Sequence, residues 1–390
     1  MRPASLFAVL CVAAIVLFPA PIRGETAAVE KLQSTTLLDI HAIAWRPVPG
    51  DSYALVAGDR GVLLQYTGRF FINLSPNLTG ALRGVGWHPT GSHALVVGDE
   101  GTVLDFDGQA IRTIPQNSTT ILDDVKWRPQ GDMALITGHN GTILKYSGGN
   151  FTRLDANLTQ PVTCIAWRPD GRMALLCGDF PFVVKYDPEV GSFQRLDTGS
   201  DAYFLRFAAW RPDGGSAIVM GTLGVLFRYD GTRFVSLNSP TANQWLSVSW
   251  SPDNSTALLS ARGGLLYKYA EGTENLTAIA TNTTSSINCI AYNLNGSYAI
   301  GAGDGGLVVR YPSSEVNPPN SPVDGDDMAM WLVLSATILL AVSAASILVA
   351  VLMVHRARKK ADERRQLEEA EAHAEEIAKA KKRGNGGTGA

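Results

Sequence analysis

Residues 123–154 read DDVKWRPQGDMALITGHNGTILKYSGGNFTRL, and this stretch decides the fold. Asp123 to Trp127 predicts a short strand, Arg128-Pro129-Gln130-Gly131 a turn, and Met133 to Thr137 a second strand. Gly138-His139-Asn140-Gly141 turns the chain again, Thr142 to Tyr146 makes a third strand, and Phe151 to Leu154 a fourth. The unit recurs. Trp45, Trp87, Trp127, Trp167, Trp210, Trp250 and Tyr292 anchor seven copies, spaced 42, 40, 40, 43, 40 and 42 residues apart. A period near 40 residues with several short apolar runs per copy marks a radial all-β array whose units bury their faces against each other.

Successive apolar residues in ALVVG, Ala94 to Gly98, and GVLF, Gly224 to Phe227, imply strands covered on both faces, as blades stacked around an axis require. In six copies an Ala stands seven residues after the anchor (Ala94, Ala134, Ala174, Ala217, Ala257, Ala299). In the first copy, Val48-Pro49-Gly50 enlarges the turn.

The two ends of the array complement each other. A fourth-strand residue lies 13 before the anchor at Leu74, Ile114, Leu154, Leu237 and Ile279, and 14 before it at Leu196. Leu32 stands 13 before Trp45, whereas Tyr311 runs into Pro312 with no fourth strand after it. The leading strand is therefore expected to complete the last blade and remove an open edge. The expectation is an all-β, seven-bladed propeller over residues 25–312, closed by its N-terminal strand.

Trp-Arg-Pro-Asp-Gly at Trp167 to Gly171 and Trp-Ser-Pro-Asp at Trp250 to Asp253 resemble the motif shared by WD-like and TolB-type repeats. The strand order with N-terminal closure resembles the WD-repeat propellers. Gly141 to Gly149 is similar to the Asp-box and photosystem assembly factor repeats, so the subfamily stays open. Tyr66, Phe106, Tyr146, Tyr186, Tyr229, Tyr269 and Tyr311 stand where the WD pair would close the third strand. The resemblance implies a rigid platform for binding other macromolecules.

Flanking segments assign the compartment. Residues 1–24, with Arg2, an apolar run from Ala4 to Phe18 and small residues before Gly24, read as a secretory signal. Residues 328–354 carry no charge and are long enough to cross a bilayer as one helix. Arg356, Arg358, Lys359 and Lys360 follow, marking that side as cytoplasmic. Residues 313–327 form a Pro-rich stalk, and 355–390 a charged tail with a solvated helix. The topology expected is single-pass at the cell membrane, with the propeller outside.

Ten Asn-X-Ser/Thr sequons fit that compartment: Asn73, Asn77, Asn117, Asn140, Asn150, Asn157, Asn254, Asn275, Asn282 and Asn295. Cys164 and Cys177 face each other if Asp170-Gly171 turns a hairpin, offering either a disulfide or two buried apolar thiols. Cys289 has no evident partner.

Catalytic machinery is not expected, nor are cofactors or metals. The ectodomain's His41, His88, His93 and His139 form no HExxH, and there is no paired Cys-X-X-Cys. His88 and His139 read as turn residues. Asp59, Asp99, Asp179 and Asp304 recur in Gly-Asp turns, where carboxylates bond nearby amides. The Trp and Tyr ladder reads as interblade packing.

Arg46, Arg128, Arg168 and Arg211 share one turn, replaced in copies six and seven by sequons Asn254 and Asn295. Two readings stand: a bare contact patch for an anionic partner, or ion pairs to a neighbouring blade's Asp such as Asp170 or Asp213. Function divides likewise between a non-enzymatic protein-interaction scaffold of the cell surface or envelope and an envelope glycosidase or lyase with a propeller pocket. A protein partner is expected, with the bilayer met through one helix; nucleic acid is not expected.

Overall fold

Each anchor ends an innermost strand: Ile40–Trp45, Leu82–Trp87, Leu122–Trp127, Val162–Trp167, Leu205–Trp210, Trp245–Trp250 and Ile287–Tyr292. These come from a computed structural model that describes residues 29–312 apart from 51–52 and 200. From each, the chain meanders outward through a four-stranded antiparallel sheet, giving seven blades among the described residues. Blade 1 continues through Ala54–Gly58 and Leu63–Tyr66 to Phe71–Asn73 at the perimeter. In blade 7 the perimeter strand is Glu30–Leu32, which pairs Glu30 with Arg310, Lys31 with Val309 and Leu32 with Val308. The leading strand thus closes the ring as expected.

One trio explains the repeat. Trp127 lies opposite Ala134, which lies opposite Tyr146, and the same register holds for Trp45, Ala54 and Tyr66. The small Ala side chain between two large rings lets them meet edge to face. Their centroids are 5.9 Å apart for Trp127 and Tyr146 and 6.0 Å for Trp45 and Tyr66, an arrangement suited to aromatic quadrupoles. In four copies, Trp45, Trp87, Trp167 and Trp250, the indole N–H then ties the blade to its neighbour. Trp87 Nε1 donates to Ala44 O at 3.1 Å, and Trp45 Nε1 donates to Ala291 O at 3.2 Å across the closure.

Second strands such as Ala94–Gly98 are buried throughout, because blades cover both faces. Every apolar cluster joins two neighbouring blades. Leu55 and Leu63 of blade 1 meet Leu82 and Val96 of blade 2, while Ile300 and Val308 of blade 7 meet Ile40 and Val56 of blade 1. Burial of Val29 against Leu258 and Val309 extends this to the leading segment. Hydrophobic stabilisation is therefore distributed around the ring as nearest-neighbour interfaces.

The signal at 1–24, the stalk at 313–327, the span at 328–354 and the tail at 355–390 lie outside the described residues. Among the described residues, no helix is long and apolar enough to cross a membrane.

Candidate functional site: the central channel and its rims

The innermost strands line a central channel of about 570 Å³. All seven carry a bulge at their second residue, where the register with the neighbouring strand shifts by one. A bulge re-aims a side chain. The bulged residues are His41, Arg83, Asp123, Thr163, Arg206, Leu246 and Asn288, and all but Thr163 and Leu246 make the polar ring of the channel's lower rim. "Lower" denotes the face with the turns between second and third strands; "upper" denotes the face with the turns between first and second strands.

On the lower rim the Gly-Asp turns meet the bulges. His41 Nε2 lies 2.6 Å from Asp59 Oδ1, Arg83 Nε donates to Asp99 Oδ1 at 2.6 Å, and Asn288 Nδ2 donates to Asp304 Oδ1 at 2.9 Å. Asp179 of blade 4 takes Arg206 of blade 5. The amide role read from sequence is also present, since Asp99 Oδ2 accepts from Ala81 N at 3.0 Å and Asp304 Oδ2 from Ser286 N at 3.2 Å. Sequence reasoning missed the second carboxylate oxygen and its inner-strand partner. The available signal was a polar residue recurring second in an otherwise apolar strand.

Blade 3 reverses the pair: the carboxylate is Asp123 on the strand, and His139 stands in the turn 3.6 Å away. Burial pushes the Asp123 carboxyl up to about 6, against the opposing pull of His139 and Arg83. Its Oδ2 has no hydrogen-bond donor among the described residues. Next to it, Asp124 stitches blades: Oδ1 accepts from Lys126 Nζ at 2.7 Å, and Oδ2 from Ile165 N of blade 4 at 2.9 Å.

The same strand position does this elsewhere. Cys164 Sγ accepts from Ala208 N of blade 5 at 3.3 Å, and Ser247 Oγ accepts from Ile290 N of blade 7 at 3.1 Å. Cys164 does lie opposite Cys177, as the hairpin implied, and both are free, buried thiols. Burial pushes Cys164 up to about 12, with Asp124 adding to the effect, and burial also raises Cys177 and Cys289. Neither chemistry nor access favours them as nucleophiles.

On the upper rim the four arginines engage groups of their own and neighbouring turns. Arg46 Nε donates to Gly91 O at 2.8 Å, Arg128 Nε to Gly171 O at 2.9 Å and Arg168 Nε to Gly214 O at 3.3 Å, each on the next blade's turn. His88 does the same toward Gly131 O at 3.1 Å. Arg211 instead grips Asp213, whose N–H donates to Asn254 Oδ1 at 2.9 Å. The guanidinium groups are further engaged: Arg128 by Asp132 and Glu189, Arg168 by Asp170 and the Trp210 ring, Arg211 by Glu271. With its side chain only 12% exposed, Arg128 is a clasp between turns. The ion-pair alternative is closer, although the carboxylates involved lie mainly on the same blade.

Nine of the sequon asparagines are exposed, and Asn254 is half-buried. Asn73, Asn77, Asn117, Asn140, Asn157 and Asn282 lie toward the lower face; Asn150, Asn254, Asn275 and Asn295 lie toward the upper.

No protein-family model and no curated protein matches the sequence. Among solved structures, the chain is similar to YCF48 bound to D1 peptide, with 16% identity, a TM-score of 0.62, and coverage of 74% of this chain and 96% of that one. At that identity the likeness supports the propeller fold alone.

Proposed function

We propose that this chain is a single-pass, membrane-anchored propeller standing outside the cell and acting as a non-enzymatic scaffold that binds protein partners. The observation carrying this reading is the state of three of the channel's basic groups. His41, Arg83 and Arg206 are each fixed against a wall carboxylate, which favours a rigid recognition surface over a poised nucleophile and base. The similar propeller YCF48 is solved with a D1 peptide bound, which supports peptide recognition by analogy of fold. Anchoring rests on the uncharged run at 328–354 and the basic cluster after it.

Crosslinking followed by mass spectrometry in native membranes tests the proposal. Reproducible adducts between the propeller and other membrane or envelope proteins are expected. Absence of any protein adduct, together with turnover of envelope glycans by the purified chain, would replace the scaffold with an enzyme.

A further inference from the structure

Leu223 is an anomaly of blade 5. It sits in the middle of a second-to-third strand turn with φ +56°, a left-handed conformation that L side chains rarely adopt. The corresponding turns of blades 1, 2, 3 and 7 place Arg60, Glu100, Asn140 and Gly305 there, all polar or lacking a side chain. Leu223 is nonetheless 70% exposed, so no packing within the described residues offsets either the backbone strain or the wet side chain.

Phe204, 45% exposed, adjoins it, because Phe204 N donates to Thr222 Oγ1 at 2.9 Å and Thr222 N to Phe204 O at 3.0 Å. On the other side Gly224 packs so closely on Thr241 O that a Cβ would lie 1.9 Å from it, which brings the exposed Ala242 alongside. Asn243 Nδ2 then donates to Arg262 O at 3.1 Å. A continuous lower-face strip therefore runs from Phe204 through Leu223 and Ala242 to Arg262. Arg262 is exposed at the channel mouth, in no ion pair among the described residues.

The sequons frame this strip. On the lower face none occurs between Asn157 and Asn282, so blades 4 and 5 present that face without a glycan acceptor, while blades 1 to 3 carry most of them and Asn282, in the loop leaving blade 6, bounds the strip beyond Arg262.

The geometry points to this strip as the docking surface for an extended segment of another protein that carries an apolar side chain and, a few residues away, an Asp or Glu. The apolar side chain covers Leu223 and Phe204, and the carboxylate pairs with Arg262, whose forked donors suit that geometry. The assignment rests on the protein-binding reading above and gives it a location and a partner chemistry.

A photo-crosslinking amino acid placed at position 223 of the full-length chain in native membranes tests it, with the same residue at position 37 as reference. Leu37 is 88% exposed on the same face, outside the strip. Adducts at 223 should exceed those at 37 at least fivefold and map to a segment of a different protein with the stated apolar and acidic pattern. Synthetic peptide of that segment should bind Leu223→Asn and Arg262→Gln at least tenfold more weakly than the unaltered chain. Leu223→Asn keeps the turn, since Asn140 holds the same conformation. Adducts to lipid, to a second copy or to residues 328–354, no excess over position 37, or unchanged peptide binding would each overturn the assignment. If a general lysine-reactive reagent joins the propeller to partners while position 223 stays silent, the strip fails and the scaffold stands. If neither reagent joins any protein, both fail.

Discussion

Asp123 makes the channel's chemistry sensitive to pH. Its carboxyl is raised from 3.8 to about 6, so the folded protein holds that proton more tightly than the unfolded chain does. The contribution favours folding at low pH and is lost as pH rises through about 6. Asp123→Asn should therefore raise the melting temperature most above pH 6, by an amount equivalent to roughly 2 kcal/mol, and the gain should shrink as pH falls toward 4. Thermal melts of both proteins across pH 4 to 8 measure this; a gain independent of pH would contradict it. Cys164 and Cys177 make a second residue-scale case. As buried thiols they should resist alkylation at pH 8 in the folded protein, yet both should be alkylated after unfolding without reductant. Protection that persists in denaturant until reductant is added would reveal a disulfide. Sequence alone left that choice open, because facing positions are compatible with both states. Sulfur bonded to the Ala208 amide becomes visible only once blade 5 is placed beside blade 4.

Strands and turns were legible because their signals are local. Gly and Pro between apolar runs bracket Ala134–Gly138 and Thr142–Ser147 within a residue or two of expectation, and the anchor-to-Ala spacing is the register of the first hairpin. Bulges were not legible. A shift at Asp123 depends on how the strand meets its neighbour and the channel, and nothing in the period-two pattern of side chains records it. The arginine turns were half legible: their recurrence showed that they do something in common, but not that Nε reaches the next blade's carbonyl. Arg128→Ala removes that bond and leaves the Gly171 carbonyl short of a donor at a partly buried junction, a loss of about 2 kcal/mol. Chemical denaturation should show a lower midpoint with partner capture unchanged. Lost capture at full stability would restore the contact-patch reading.

At the scale of the whole molecule, the ring is a closed series of nearest-neighbour interfaces, and its first and last blades are joined both by their packed faces and by the leading strand, which completes blade 7. Closure was legible from Leu32 standing at the fourth-strand spacing before Trp45 and from Pro312 cutting off a local fourth strand. The docking strip was not, since Leu223 looks like one more apolar residue in GTLGVLF until its backbone and exposure are known. Closure has consequences for stability: opening blade 7 would expose Val308, Val309 and the Cys289 neighbourhood to water, and disrupt its interfaces with blades 1 and 6. Amide hydrogen exchange on the full-length chain, followed by mass spectrometry, is the most direct test. Glu30–Leu32 and Val308–Tyr311 should be protected together, and Leu32→Pro should release both while the inner strands of blades 3 and 4 stay protected. Rapid exchange of Glu30–Leu32 beside a protected Val308–Tyr311, unmoved by Leu32→Pro, would contradict closure by the leading strand.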